Sequence, residues 1–202
     1  MSELPLFPLS SVLFPFGRMP LQIFEQRYLS LVRDCMKSAG DFGVVWICRG
    51  SEIAGSGGSA PDLGDYGTCA KIVDWDQLPN GLLGITVEGV QRFELAAVST
   101  RPDGLIVGEV QLRDKPAPAP LAAQWRSMEE VLRTLQTHPH VQRMDLQIDY
   151  DNAWEVAYTL IQLLPLEEPL KYELLSYDAV DELMGELDII LNQISGDQGQ
   201  LS

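Results

Sequence analysis

The chain has 202 residues, of which 46% are hydrophobic, and it carries 29 acidic against 14 basic side chains, a formal net charge of −15. A chain of this length and apolar content can bury a substantial core, which excludes disorder as its overall state. The negative charge and the absence of any basic run argue against binding to nucleic acid or to anionic membranes, because both depend on clustered Lys and Arg.

No apolar run approaches the ~18 residues that a membrane span needs, and the first residues lack the pattern of a secretion signal. We therefore expect a cytoplasmic protein. The three cysteines, Cys35, Cys48 and Cys69, are odd in number and widely spaced, which suits neither a disulfide framework nor paired metal ligands. We expect all three to be buried thiols.

Residues 1–114 have the pattern of a β-rich domain. Runs rich in Val, Ile and Phe, separated by turn residues, predict strands at 42–48, 68–75, 82–87, 90–98 and 105–112. Asn80-Gly81 predicts a hairpin turn, since this pair supplies positive φ. Glu109 and Gln111 alternate with apolar residues in the last run, which is typical of a half-exposed antiparallel sheet.

One helix interrupts this β-rich part. Phe24, Tyr28, Leu31, Val32 and Cys35 recur at helical spacing and predict a helix at about 25–37. The glycine-rich stretch 49–67 predicts a flexible loop. Three of its glycines superficially resemble a phosphate loop, but neither Lys nor a helix start follows them: Gly55, Gly57 and Gly58.

Three alternating prolines divide the chain. Pro116, Pro118 and Pro120 block helix and sheet pairing and predict an extended linker at 115–120. Beyond it the apolar period changes to 3.6 and predicts a small helical bundle at 121–196, with helices at 121–135, 153–164, 169–174 and 178–194. The polar end is expected to fray from residue 195, with a flexible tail at 197–202. Residues 116–202 hold 15 acidic and 4 basic side chains, whereas residues 1–115 hold 14 acidic and 10 basic ones.

Residues with catalytic or metal-binding chemistry are few. The chain has no G-x-x-x-x-G-K-[ST] loop, no G-x-S-x-G turn and no H-E-x-x-H helix. His138 and His140 flank a proline in a predicted interhelical turn, where a solvated turn is favoured over a metal site. A solvated cap is likewise favoured over a weak cation site at Asp145, Asp149 and Asp151. We predict no catalytic residue, no cofactor and no metal.

The opening of the chain resembles a known family. Its proline-punctuated motifs are Leu4-Pro5-Leu6-Phe7-Pro8-Leu9, Val12-Leu13-Phe14-Pro15, Met19-Pro20-Leu21 and Ile23-Phe24-Glu25-Gln26-Arg27-Tyr28. Their order and spacing resemble the start of Lon protease N-terminal domains. The resemblance continues at 42–45, 67–72, 89–94 and 108–110, and more loosely in the helical part at Leu174-Leu175. The three prolines depart from the family's less distinctive connection.

The resemblance implies a fold and a role. The implied fold is α+β: a twisted, partly closed antiparallel β domain of the PUA-like kind with one embedded helix, followed by a small C-terminal α-helical bundle. The implied role is to engage exposed or unfolded polypeptide for delivery to an ATPase. Lon's nucleotide-binding loop and Ser–Lys peptidase dyad have no counterpart in these residues. We therefore expect a non-catalytic member without the ATPase and peptidase domains.

A peptide-binding role requires a hydrophobic surface, either at an open sheet edge or in a groove between sheet and helices. The same residues also suit structural roles, since such aromatics often build a core and a Glu–Arg pair can hold a helix to a barrel. The sequence leaves these two interpretations open. The candidate residues are Phe7, Phe14, Phe16, Met19, Phe24, Glu25, Arg27 and Tyr28.

Unfolded or extended polypeptides, or a protein partner, are thus the expected ligands, and nucleic acid and membranes are not. A structural or oligomerisation module without a client is the main alternative, because acidic amphipathic helices can associate with copies of themselves. An RNA-binding PUA-like module would need a basic stripe, which the charge opposes. An unrecognised enzyme would need converging titratable groups, and the chain has two histidines.

Overall fold

The computed structural model describes residues 1–49 and 61–198, and it divides into two compact units, Met1–Lys115 and Pro116–Ser202. The assignment of 115–120 as a linker stays a prediction. No helix in the described part combines the length and the apolarity that crossing a bilayer requires.

The first unit is a six-stranded sheet with one helix in its described part. The strands follow the order β2-β5-β4-β3-β1-β6, and β6 also pairs with β5, so five strands close on themselves while β2 lies at the edge. The mixed α+β fold is the predicted one, although β1 and β3 pair in parallel rather than antiparallel. The elements are β1 (Ser2–Leu9), β2 (Arg18–Ile23), α1 (Gln26–Ser38), β3 (Phe42–Arg49), β4 (Asp62–Gln77), β5 (Leu83–Thr100) and β6 (Ile106–Leu112).

Strand β5 is one continuous strand, and the break predicted between residues 87 and 90 was wrong. Its first half pairs with β2 and β4, and its second half pairs with β4 and β6. Gly89 lies where these halves meet: its N–H donates to Gly17 O over 2.9 Å, and its carbonyl accepts from Phe16 N over 2.8 Å. A Cβ at Gly89 would lie 2.1 Å from Phe14 O. The glycine therefore permits a close backbone crossing and does not end the strand.

The predicted loop at 49–67 was too wide. Arg49 ends β3, and residues 62–67 belong to β4, where Leu63 pairs with Ile47. Gly67 was placed at the end of that loop, but it lies inside β4, where a Cβ would come within 2.3 Å of Val44 O. The glycines at 55, 57 and 58 lie outside the described residues.

The predicted hairpin turn joins β4 to β5. Gly81 N donates to Leu78 O over 2.8 Å, and Leu78 N donates to Leu82 O over 2.9 Å. Gly81 has a φ of 82°, which glycine adopts without steric cost. The alternation predicted for β6 is also present, since Glu109 and Gln111 are exposed, although Leu112 is exposed as well.

The β unit has two apolar clusters on opposite sides of its strands. Neighbouring residues of β1 belong to different clusters because their side chains point to opposite sides of the strand. Leu6 packs with Val45 and Phe93, whereas Phe7 packs with helix α1. The Phe7 ring stacks on Tyr28 with a centroid distance of 4.0 Å. Helix α1 thus covers one side of the sheet through its buried residues Tyr28, Leu31, Val32 and Cys35.

The second unit is helical. After a short 3₁₀ turn (Ala123–Trp125) it contains α2 (Arg126–Gln136), α3 (Pro139–Gln142), α4 (Ala153–Leu163), α5 (Glu168–Leu175) and α6 (Val180–Gln198). The turn expected at 138–140 is instead the start of α3, whose N-cap His138 accepts the His140 N–H through Nδ1 at 3.3 Å. Asn152 caps α4, and this helix begins at Ala153 as predicted. Helix α6 continues past residue 195, where fraying was expected, and residues 199–202 lie outside the described part.

Ion pairs join three strands on one side of the sheet. Glu88 of β5 lies directly opposite Arg18 of β2 and Lys71 of β4. Arg18 Nε donates to Glu88 Oε2 over 2.9 Å, and Lys71 Nζ lies 2.7 Å from Glu88 Oε1. Burial raises the pKa of Glu88, but hydrogen bonds from Lys71 and Arg18 outweigh that effect and hold the pKa below its ordinary value.

Replacing Gly89 with alanine should destabilise the β unit by about 1–3 kcal/mol, because the added methyl collides with backbone that cannot move independently. Urea unfolding of the full chain measures this. Gly40→Ala is the matched control, since a Cβ there meets first the flexible end of Ser38. Equal stability of the two variants would contradict the assigned role of Gly89.

Replacing Glu88 with glutamine should lower the free energy of unfolding at neutral pH. The difference in this free energy between variant and wild type should decrease as the pH falls below about 4.3. Folding lowers the pKa of this carboxylate, so the ionised group stabilises the folded state at any pH above its pKa in the unfolded chain. That stabilisation is lost as the pH falls through the pKa of the folded state. Urea titrations across the acid range test this, with the exposed Glu109→Gln as control. A gap that stays constant with pH would refute it.

Candidate functional site

An apolar face extends across strands β2, β5 and β4. Residues directly opposite in paired strands share a face, and two cross-strand rows are entirely apolar. One row joins Leu21, Ile85 and Trp75, and the other joins Met19, Val87 and Ile72. Together with the pair Ile23 and Leu83 they form the three-strand face: Met19, Leu21, Ile23, Ile72, Trp75, Leu83, Ile85 and Val87.

A bulge in β4 makes this face possible. Ile72 and Trp75 are three residues apart, and in a regular strand they would point to opposite sides. The register of β4 against β5 shifts between Ile72 and Asp74, which adds one residue to β4. Trp75 therefore joins the apolar side instead of the side that carries Glu88.

Helix α1 covers only part of the three-strand face. Ile23, Ile85 and Val87 are buried in one cluster with the apolar side of α1. By contrast, the Trp75 side chain is 59% exposed, and Met36 on the same helix is 46% exposed. Large apolar side chains that cluster in the open mark binding surfaces more often than isolated ones do.

Three cavities lie along this uncovered region. One of about 500 Å³ lies between the end of α1 and β4, with Cys35, Met36, Asp41, Ile72 and Trp75 in its wall. A second of about 240 Å³ crosses β2, β5 and β4 and includes Leu21, Ile85 and Trp75. A third of about 140 Å³ lies at the start of α1 and is lined by Phe7, Leu9, Pro20, Leu21, Gln22, Phe24, Glu25 and Tyr28.

The cavities share residues and together form a surface that continues around the strand edges, since the second cavity is lined mostly by residues of the face opposite Trp75, among them Pro20, Asp74 and Thr86. Trp75 lines the first and second cavities, and Leu21 lines the second and third. We call this surface the Trp75 groove. The first cavity alone falls within the size range of ligand-binding clefts in proteins.

The strand edges beside the groove have few open N–H groups. Beyond Ala70, β4 pairs with β5 alone among the described residues. There Asp74 Oδ1 accepts the N–H of Trp75 at 2.9 Å, and Asp76 Oδ1 accepts that of Gln77 at 2.7 Å. Edge strand β2 has Pro20, which has no N–H, near its middle. Both features discourage pairing with another strand.

The predicted site residues divide between core and groove. Phe14 is fully buried, and Phe7 and Tyr28 are buried but form the floor of the small cavity. Phe24 is 54% exposed at the rim of that cavity. Met19 lies partly buried on the three-strand face.

Three of the predicted site residues lie among contacts that hold the fold together: Phe16, Glu25 and Arg27. Phe16 is half-buried with a φ of 64° at the Gly89 crossing. Arg27 Nε lies 2.9 Å from Glu25 Oε2, and Arg27 Nη1 donates to Gly104 O over 3.0 Å. The pair thus links the start of α1 to the connection between β5 and β6, while Glu25 also lines the small cavity.

Trp75, the most exposed apolar residue of the groove, and Met36 were missed by the sequence analysis, whereas Phe24 was predicted. A signal existed in the triplet Asp74-Trp75-Asp76, since a tryptophan between two carboxylates is unusual in a strand that buries its side chains. The face of the sheet on which Trp75 lies could not be inferred from the sequence, because regular alternation from Ile72 assigns Trp75 to the wrong face.

The cysteines and carboxylates show little potential for chemistry. Cys35 and Cys69 are buried as predicted, and burial is the main cause that raises the pKa of their thiols, to about 11 and about 12. The prediction was wrong for Cys48, which is exposed near the end of β3. Among the described residues, no three His, Cys, Asp or Glu side chains come together in a way that could hold a metal ion.

Comparison with known proteins decides the family. The family model described as the substrate-binding domain of the ATP-dependent protease La (Lon) matches residues 3–193. The chain belongs to the Lon substrate-binding domain family. The resemblance seen in its motifs is thereby confirmed, and substrate recognition is the general role of this family. The matched model is the substrate-binding module and not the peptidase domain.

Solved structures agree in fold. The Lon N-terminal domain protein from Xanthomonas campestris is 34% identical, with a TM-score of 0.73 over 93% of this chain and 97% of that one. The N-terminal domain of the Mycobacterium avium complex Lon protease shares the fold at 15% identity, with a TM-score of 0.62 over 92% of this chain and 96% of that one.

The curated relatives are much longer than this Lon-family chain. A Lon protease from Brevibacillus choshinensis is 23% identical over 94% of this chain, which spans 25% of that protein. Lon protease 2 from Herpetosiphon aurantiacus is 28% identical over 95% of this chain, which spans 24% of it. The chain therefore corresponds to about a quarter of these relatives' length.

In the native Lon-family chain, a disulfide-exchange reagent should modify one of the three thiols quickly, and that thiol should be Cys48. Cys35 and Cys69 should react only on unfolding, because both are buried and their raised pKa values keep them protonated at neutral pH. Thiol counting with and without denaturant, followed by mass mapping, provides the measurement. Rapid modification of Cys69 in the native chain would contradict the structure.

Proposed function

We propose that this chain is a non-catalytic protein-binding module that engages exposed, extended polypeptide segments in the Trp75 groove. The observation that carries the proposal is an apolar sheet face that its own helix leaves partly uncovered at Trp75. An exposed tryptophan beside concave apolar surface supplies the large, rigid contact area that typically contributes most to binding energy. The membership of the chain in the Lon substrate-binding family supports a polypeptide ligand.

The edges of the sheet support one mode of binding over another. Strand addition needs a row of free backbone N–H and C=O groups. Pro20 interrupts that row in β2, and Asp74 and Asp76 occupy N–H groups of β4. Insertion of apolar side chains into the cavities is therefore the favoured mode, with the backbone of the ligand held outside.

The other partners weighed at the sequence level fit this surface less well. RNA requires basic and aromatic side chains together, whereas the chain has a net charge of −15 and Trp75 lies between two carboxylates. Self-association through the groove would bring like charges together. The free cysteines support action in a reducing compartment such as the cytoplasm.

Titration with a permanently unfolded, carboxymethylated model protein and with a panel of extended apolar peptides tests the proposal. Trp75→Ser should weaken binding by about tenfold or more, roughly 1.4 kcal/mol, because it removes the largest exposed apolar contact. Met36→Ser should have a smaller effect in the same direction. Leu112→Ser is the matched control, since it removes an apolar side chain of similar exposure that lines none of the three cavities.

Circular dichroism and thermal unfolding first establish that each variant is folded. Equal weakening by Trp75→Ser and Leu112→Ser would show that the groove is not the site. Sedimentation velocity on the same proteins separates the alternative: a dimer that Trp75→Ser dissociates, without peptide binding, would favour an oligomerisation module.

A further inference from the structure

We propose that the Trp75 groove selects cationic segments, in which apolar residues are flanked by Lys or Arg. This inference rests on the proposed function and adds the class of polypeptide that the groove accepts. It is carried by the charges around the apolar floor, which are almost all negative.

Carboxylates surround the exposed tryptophan. Asp74 and Asp76 are its chain neighbours, both are exposed, and both line the cavity that crosses the three strands. Their cross-strand partners, Thr86 and Gly84, lie on the face opposite Trp75, and their bonds to the N–H groups of Trp75 and Gln77 hold the two carboxylates at the edge of β4 beside the groove. Asp41 is also exposed and lines the larger cavity, directly before the point where Phe42 of β3 pairs with Ala70 of β4. Within residues 1–49 and 61–198, no Lys or Arg forms an ion pair with Asp41, Asp74 or Asp76.

The cations near the groove do not offset this charge. Lys71 lies in the wall of the larger cavity, but its Nζ is 2.7 Å from Glu88 Oε1 and is therefore already paired. Lys37 follows Met36 on α1 and lines none of the three cavities. Arg27, at the other end of the helix, is paired with Glu25.

The Asp side chains remain able to bind a ligand. Asp74 and Asp76 each use Oδ1 to accept a backbone N–H, which fixes the side chain beside the groove. The second carboxylate oxygen of each can accept from an ammonium or guanidinium group. Carboxylates held in place pair more favourably than mobile ones, because less side-chain freedom is lost on binding.

Charge complementarity therefore identifies the occupant. An apolar side chain fills the cavity floor while adjacent Lys or Arg residues reach the rim, and the net charge of −15 accelerates the approach of cationic segments. An acidic segment meets repulsion at the rim, and so does a second copy of this chain. Exposed pairs are screened by salt, so the selectivity depends on ionic strength.

The test uses three fluorescent peptides that share one central apolar segment and differ in their flanks, which are Lys, Ser or Glu. At low salt, the Lys-flanked peptide should bind the full chain about tenfold or more tightly than the Glu-flanked peptide, and roughly 0.5 M NaCl should remove most of that difference. The Ser-flanked peptide should fall between them.

The double variant Asp74→Asn/Asp76→Asn should reduce the advantage of the Lys-flanked peptide over the Ser-flanked peptide at least about threefold. Asparagine keeps the oxygen that accepts the backbone N–H, so the strand edge is preserved. Asp65→Asn/Glu109→Gln is the matched control: it makes the same change in net charge at exposed carboxylates that line none of the three cavities.

Each outcome has a distinct meaning. Equal affinity for the three peptides, with binding still lost in Trp75→Ser, would overturn the charge selectivity and leave the proposed function standing. An equal loss of selectivity in the two double variants would overturn the role of the rim, because overall charge would then explain the preference. No binding of any peptide would overturn the proposed function and this inference with it.

Discussion

The architecture of the β unit depends on one close backbone contact. At Gly89 the segment 14–17 crosses β5 with hydrogen bonds in both directions, and no side chain fits between them. Because of this crossing, the 18 residues of β5 belong to two pairing systems: a closed barrel at one end and, at the other, the sheet formed with β2 and the second half of β4.

That outer sheet has an apolar face longer than the helix above it. The 13 residues of α1 bury Tyr28, Leu31, Val32 and Cys35 against the face, and the bulge in β4 then turns Trp75 to the same side beyond the helix. Burial of the remainder would stabilise the fold, since exposed aromatic area is a lost hydrophobic contribution. Its exposure is accordingly a feature of this unit that stability does not explain and that the proposed ligand binding would explain.

Local sequence patterns predicted the helices and strands well, but they predicted the segments that connect them poorly. Helical spacing in 24–35 and alternation in β6 were sufficient because each element has one buried side. Gly67 was assigned to a loop and Gly89 fell between two predicted strands, since a sequence does not show whether a glycine serves a connection or a close contact between distant segments. The motifs at 4–9 and 23–28 indicated the family, yet their residues Phe7 and Tyr28 stack on each other in the core, whereas Phe24 is exposed. Trp75 was missed because its orientation depends on a bulge, which alternation cannot show.

The carboxylates on either side of Trp75 have two effects that reinforce one another. By occupying backbone N–H groups, Asp74 and Asp76 keep the free edge of β4 from pairing with other strands, a hazard for any protein that presents an apolar sheet to unfolded chains. The same side chains place negative charge at the rim of the groove. A surface protected in this way can hold apolar side chains without recruiting the ligand backbone, so binding stays reversible. Reversibility is what a module requires if it must hand its ligand on to another component.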